Sequence, residues 1–138
     1  MATTIAVSTH VARPIEQVWT CFTEPEHIMH WNAASDDWHC PKAENDLRAG
    51  GTFSFRMEAR DGSFGFDFGG TYTEVKPQQR FAYTIGDGRK VSVDFAKDGH
   101  GTKVTETFEA ETENPLEMQR HGWQGILDRF KAYAERVA

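Results

Sequence analysis

Basic clusters, long apolar runs and cysteines are all scarce in this chain, and each shortage excludes something. Fifteen Lys and Arg stand against twenty-one Asp and Glu, a net charge of −6, and neither sign forms a run. Duplex nucleic acid and anionic membrane surfaces select a clustered basic face, so neither is expected as a partner. No apolar stretch approaches the ~20 residues of a spanning helix. The N-terminal run Met1 to Pro14 has no charged start followed by an apolar stretch, so it does not read as a signal peptide, and a cytoplasmic location is expected. The two cysteines, Cys21 and Cys40, do not make a disulfide framework and are expected as free thiols. Also missing are a Gly-x-Ser-x-Gly elbow, a phosphate-binding glycine loop and a His-Glu-x-x-His pair. Acyl-transfer hydrolase, kinase and metalloprotease chemistry therefore lack their essential parts.

What the chain does have is aromatic core material in a period-two pattern. Its 138 residues correspond to one domain, read over 1–138, and ten Phe supply its interior. Ile5, Val7, Thr9 and Val11 alternate with polar neighbours, as in a half-buried strand. Pro14 suits a helix start, and Ile15, Val18, Trp19 and Phe22 follow at helical spacing. Thr23 and Glu26 have the spacing of a capping box for a second short helix carrying Ile28 and Trp31. From Asn32 to Asp46 no period survives, and the segment reads as an ordered loop.

Five strands are then expected. Phe53, Phe55 and Met57 alternate with polar residues, Asp61-Gly62 suggests a tight hairpin, and Phe64, Phe66, Phe68 and Tyr72 resume the alternation. Gly69-Gly70 marks a bulge or close backbone approach. Phe81, Tyr83 and Ile85 follow, then Val91, Val93 and Phe95 after Asp87-Gly88, then Val104 and Phe108 after the turn Asp98 to Gly101. Turns at this spacing without intervening helices indicate an antiparallel meander. Asn114 as cap, Pro115 and Glu117 announce a long last helix, with Trp123, Ile126, Leu127, Phe130, Tyr133, Ala134 and Val137 in one stripe. The fold class is α+β, in the order β-α-α-β(5)-α, a curved antiparallel sheet around a long C-terminal helix. A twisted sheet does not lie flush on a straight helix, so a gap lined by aromatic residues is expected.

Four runs carry a resemblance: Ala12-Arg13-Pro14 with Val18-Trp19; Phe22-Thr23-Glu24-Pro25-Glu26 ending in Trp31; Asp46-Leu47-Arg48-Ala49-Gly50-Gly51; and Gly122-Trp123 followed by Leu127. Gly70-Thr71-Tyr72-Thr73-Glu74-Val75 with Pro77 adds to them. Together they resemble the START-like (SRPBCC) superfamily, and within it the bacterial proteins named after the activator of the heat-shock protein 90 ATPase. The resemblance implies the helix-grip (Bet v 1-like) fold. It does not imply one function, since relatives include lipid carriers, polyketide cyclases and plant allergens. The eukaryotic activator carries a separate N-terminal domain for much of its chaperone contact, and no such domain is read here.

The candidate ligand-binding residues are Phe53, Phe55, Phe66, Phe68, Phe81, Tyr83, Phe95, Glu106, Trp123 and Leu127. They fit a cavity for a small hydrophobic or amphipathic molecule, and they fit plain core packing equally well. Gly122 and Gly125 inside the last helix imply close packing or deliberate space. Glu106 shares a face with Val104 and Phe108, so a desolvated carboxyl able to anchor a ligand or act as a general acid is expected, with Tyr83 as a polar partner. Three readings follow: a binding protein, a cyclase- or dehydratase-type enzyme using Glu106, and an interaction module contacting a protein through a sheet edge or the Trp38 segment. Trp31 and Trp38 could also border a lid formed by 32–46. His27, His30, His39 and Cys40 lack the paired spacing of a structural zinc site, so no metal is expected, and no cofactor motif is present. No protein partner is legible.

Overall fold

The computed structural model describes residues 3–137. One antiparallel sheet of seven strands is ordered β1-β7-β6-β5-β4-β3-β2, so the first strand closes against the last and the remainder form a meander. The strands are β1 (Thr4–Val11), β2 (Trp38–Asn45), β3 (Thr52–Ala59), β4 (Gly65–Lys76), β5 (Arg80–Ile85), β6 (Lys90–Asp98) and β7 (Gly101–Glu109). Helices α1 (Ile15–Thr23) and α2 (Pro25–Trp31) join β1 to β2, and α3 (Leu116–Arg136) ends the chain. This is the helix-grip arrangement.

One strand was not expected. The segment read as a loop holds β2, which pairs with β3 at the sheet edge and slips register between His39 and Lys42. That irregularity surrounds Pro41, which has no N–H to donate and is tolerated only at an edge or bulge. The meander therefore has six strands, and Trp38 opens a strand instead of bordering a lid. The hairpin tips differ as well. Five residues separate β3 from β4, with Gly62 at φ +78°, whereas the two-residue turn is Gly99-His100, with Gly99 at φ +64°. At Gly70 a Cβ would meet the Thr84 carbonyl at 2.5 Å and the Phe53 ring at 3.1 Å, so the close approach expected there is real.

Helix starts use backbone shape in place of the expected caps. Thr23 Oγ1 donates back to the Trp19 carbonyl at 2.8 Å, and Glu24 precedes α2 without a side-chain cap. Pro115 occupies the cap position of α3, while the Asn114 N–H donates to Glu111 Oε1 at 2.7 Å. Proline's fixed φ sets the entry angle in both α1 and α3.

The core fills the concave side. Val11, Val18, Val93, Val104, Phe108 and Phe130 are fully or almost fully buried. At one end α1 closes the sheet, with Phe22 against Phe130 (4.7 Å between ring centroids) and against Phe95 (5.5 Å). Along the other side α3 lies beside β1. Arg120, Gln124 and Lys131 donate to the carbonyls of Ala6, Ser8 and His10 at 2.8, 3.1 and 2.6 Å. These alternate residues turn their carbonyls away from β7, so the helix satisfies an otherwise open sheet edge.

Candidate ligand-binding cavity

Where α1 and α2 end and the sheet curls away from α3, the packing opens into a cavity of about 270 Å³. Strands β3 and β4 supply Phe53, Phe55, Met57, Phe66, Phe68 and Tyr72 to its wall, and β5 supplies Phe81 and Tyr83. Phe22, Ile28 and Trp31 close it on the side of the short helices, and Trp123 and Ile126 reach in from α3. Strand alternation explains the set, because side chains two apart share a face. Trp123 is held by Phe108, stacked at 4.0 Å and 11° between planes. Phe53 is the hub of the aromatic wall, with Tyr83 at 4.8 Å and Phe55 at 5.0 Å.

Eight of the ten residues singled out from sequence line this space; Phe95 and Leu127 do not. Phe95 points inward, but α1 covers it, with Trp19 at 5.1 Å. Leu127 is 1% exposed and belongs to the packed core, because the α3 stripe divides: Trp123 and Ile126 meet the cavity while Leu127 and Phe130 fill the interior. Gly125 is a close approach, its Cβ position 3.3 Å from the Ala34 carbonyl, whereas a Cβ on Gly122 would meet nothing within 4 Å.

Sequence reading missed the polar rim. Tyr72 Oη donates to Asn45 Oδ1 at 2.6 Å, and Asn45 Nδ2 donates to the Thr23 carbonyl at 2.7 Å, tying β4 through β2 to the end of α1. Asn45 lay in the segment read as a loop, so no strand pattern exposed it. Arg89 also borders the cavity, but its Nε is engaged by Asp87 at 2.8 Å.

Glu106 faces inward as expected and is 7% exposed. Across the sheet it stands between Val7 of β1 and Val93 of β6. Loss of hydration alone pushes its carboxyl up to about 8, with no cation or hydrogen-bond donor among the described residues to offset it. Burial also pushes the Tyr83 hydroxyl well above its ordinary value, and the nearby Glu106 carboxylate and Tyr72 add to that. Both groups are therefore mostly un-ionised at neutral pH. The thiols of Cys21 and Cys40 are raised by burial too, which favours the unreactive protonated form. His27 and His30 lie against Tyr133, the former at 2.6 Å from its hydroxyl, while His39 and Cys40 lie in β2.

A curled sheet gripping a helix across an aromatic-walled cavity defines a helix-grip protein of the START-like class. The sequence model of the family described as "Activator of Hsp90 ATPase homolog 1-like protein" matches residues 12–135, and the chain belongs to that family. The solution structure of an AHSA1-like protein from Aeromonas hydrophila is 47% identical, with a TM-score of 0.91, over 96% of this chain and 92% of that one. A Cytophaga hutchinsonii protein is 51% identical, with a TM-score of 0.81, over 97% and 92%. A Nitrosomonas europaea protein at 22% identity and a TM-score of 0.85, over 98% and 96%, shares the fold. No curated protein matches the chain. Among the described residues no helix is long and apolar enough to cross a membrane.

Proposed function

We propose that this protein binds a small hydrophobic or amphipathic molecule in the cavity between sheet and α3. The observation that carries the reading is an aromatic-walled space of about 270 Å³ kept open inside an otherwise packed core. Interiors normally close-pack, and an open apolar space loses dispersion contacts along its whole lining. The volume lies just below the roughly 300–1,000 Å³ of drug-sized sites, which favours a compact ring system over a long-chain lipid. Relatives of this fold commonly hold hydrophobic ligands, which supports the reading by analogy. A cytoplasmic location goes with it as a proposal.

The test is an amide NMR titration against fatty acids, sterols and polycyclic aromatic compounds, with thermal melts alongside. A ligand at 100 times its Kd stabilises the fold by roughly 2.7 kcal/mol, which a melt detects. Shifts clustered on Phe53, Phe55, Phe68, Tyr83, Trp123 and Ile126 support the reading. Shifts confined to the outer face, or none across the library, refute it.

A second reading, an enzyme of cyclase or dehydratase type, draws on the inward carboxyl of Glu106, which shares the cavity wall with Tyr83. General acid catalysis needs such a titrating group within reach of substrate. A pH–rate profile that disappears in Glu106→Gln would separate enzyme from carrier.

A further inference from the structure

This inference rests on the binding reading and deepens it. The cavity wall contains few polar side chains, and most are already engaged. Tyr72 donates to Asn45, Asn45 donates to the Thr23 carbonyl, and Arg89 is held by Asp87. The faces of α1, α2 and α3 on the cavity bring no titratable group to it, and β3 brings none. Thr23 donates to the Trp19 carbonyl and Asn32 is bonded to Cys40. Two titratable groups remain on the wall, the Glu106 carboxyl from β7 and the Tyr83 hydroxyl from β5, on strands separated by β6. Neither has a side-chain hydrogen-bond partner among the described residues. Buried polar groups left unpaired cost free energy, so a molecule that completes both is favoured over one that leaves them bare.

We propose that Glu106 and Tyr83 form a two-donor clamp for a carbonyl oxygen, so that the cavity takes a compact, neutral aromatic ketone with its oxygen toward β7. Un-ionised, both groups present an O–H, and a carboxylic acid beside a tyrosine hydroxyl is an effective donor pair for such an oxygen in an apolar site. An ammonium ligand would need Glu106 ionised in surroundings of valine and phenylalanine, and both charges would lose their hydration. A carboxylate ligand would bring its charge against the Glu106 carboxyl, and the one cation on the lining, Arg89, already shares its charge with Asp87 at 2.8 Å. Of these ligand classes, the carbonyl compound satisfies both donors without placing charge in the cavity.

Three probes of one shape test this: 2-acetylnaphthalene, 2-ethylnaphthalene and 1-(2-naphthyl)ethylamine. Calorimetry at pH 7 should give the ketone about tenfold tighter binding than the hydrocarbon, as expected for one or two neutral hydrogen bonds, with the amine weakest. Tyr83→Phe and Glu106→Leu should each shrink the ketone-to-hydrocarbon affinity ratio, the ratio and not either affinity alone being the readout. The carbonyl stretch of bound, isotope-labelled ketone should fall in frequency in the parent protein and recover in Glu106→Leu. Equal affinity for ketone and hydrocarbon, or tightest binding of the amine, overturns the clamp and leaves the binding reading standing. Failure of all three to bind overturns the clamp, while the binding reading falls only if the wider library also leaves the cavity residues unshifted. The ratio in the parent protein and in Tyr83→Phe decides the matter even if Glu106→Leu does not fold.

Discussion

At pH 5 the Glu106 carboxyl is protonated in the folded chain and largely ionised in the unfolded one, and this difference couples stability to pH. Its folded value of about 8 lies above its ordinary 4.5, so the folded state holds the extra proton. The resulting stability is fully present below about 4.5 and is lost as pH rises toward about 8, by at most about 1.4 kcal/mol per pH unit. Asp87 and Glu135, held low by their hydrogen bonds, act in the opposite sense and matter only as pH falls below the carboxylate range. Urea melts from pH 5 to 9 should therefore show a decline in the parent protein and a flat profile in Glu106→Gln. Parallel profiles would mean that Glu106 ionises freely in water. At the same scale, Phe130→Ala should cost about 3–5 kcal/mol, because the ring is fully buried against Phe22 and Trp31. Phe66, 42% exposed at the cavity wall, should cost about 1 kcal/mol or less on truncation while weakening ligand binding. Equal losses in denaturant melts of the two variants would contradict the division between core and wall.

Within α3, two glycines have opposite meanings. A methyl group at Gly122 meets nothing, so Gly122→Ala should stabilise the protein by about 0.5–1 kcal/mol through helix propensity. At Gly125 the Ala34 carbonyl, 3.3 Å from the added atom, has to yield, so Gly125→Ala should gain less or lose stability. Thermal melts of the pair rank them directly, and a larger gain at Gly125 would contradict the packing described. The pairing of α3 with β1 has its own signature. Removing both Arg120 and Gln124 side chains strips two donors from the Ala6 and Ser8 carbonyls. Amide exchange along β1 should then quicken, with stability falling by about 1–3 kcal/mol. Unchanged exchange would show that the strand is held by β7 alone. Elements with clean periodicity were legible in the sequence: β1, the five strands from β3 to β7, and the three helices. Strand β2 was not, because the slip around Pro41 breaks its alternation and its edge position leaves Lys42 and Glu44 exposed. Helix caps failed for a related reason, since proline geometry replaced the side-chain bonds that Thr23 and Asn114 suggested.

For the molecule as a whole, the sheet-and-helix plan follows from local pattern, and so does the inward set of side chains. Which inward residues border space and which fill it does not follow. That depends on where α1 ends and how far the sheet curls, so Phe95 and Phe81, alike in sequence pattern, separate into core and wall. Glu106 could be recognised because a charged residue between Val104 and Phe108 violates an apolar face. The Tyr72–Asn45–Thr23 chain could not be recognised, because its members come from three elements whose adjacency only the closed fold creates.

Four tryptophans are distributed unevenly over this plan, and their placement gives the protein an optical readout of its own. Trp31 and Trp123 border the cavity, whereas Trp19 sits in the core against Phe95 and Trp38, outside the lining, packs against Phe64 and the outer side of the wall residue Phe66. A carbonyl compound entering the cavity accepts excitation from the first pair and leaves Trp19 more distant. Emission from unlabelled protein should therefore dim in proportion to occupancy, Trp123→Phe should lose part of the signal, and Trp38→Phe should lose little of it.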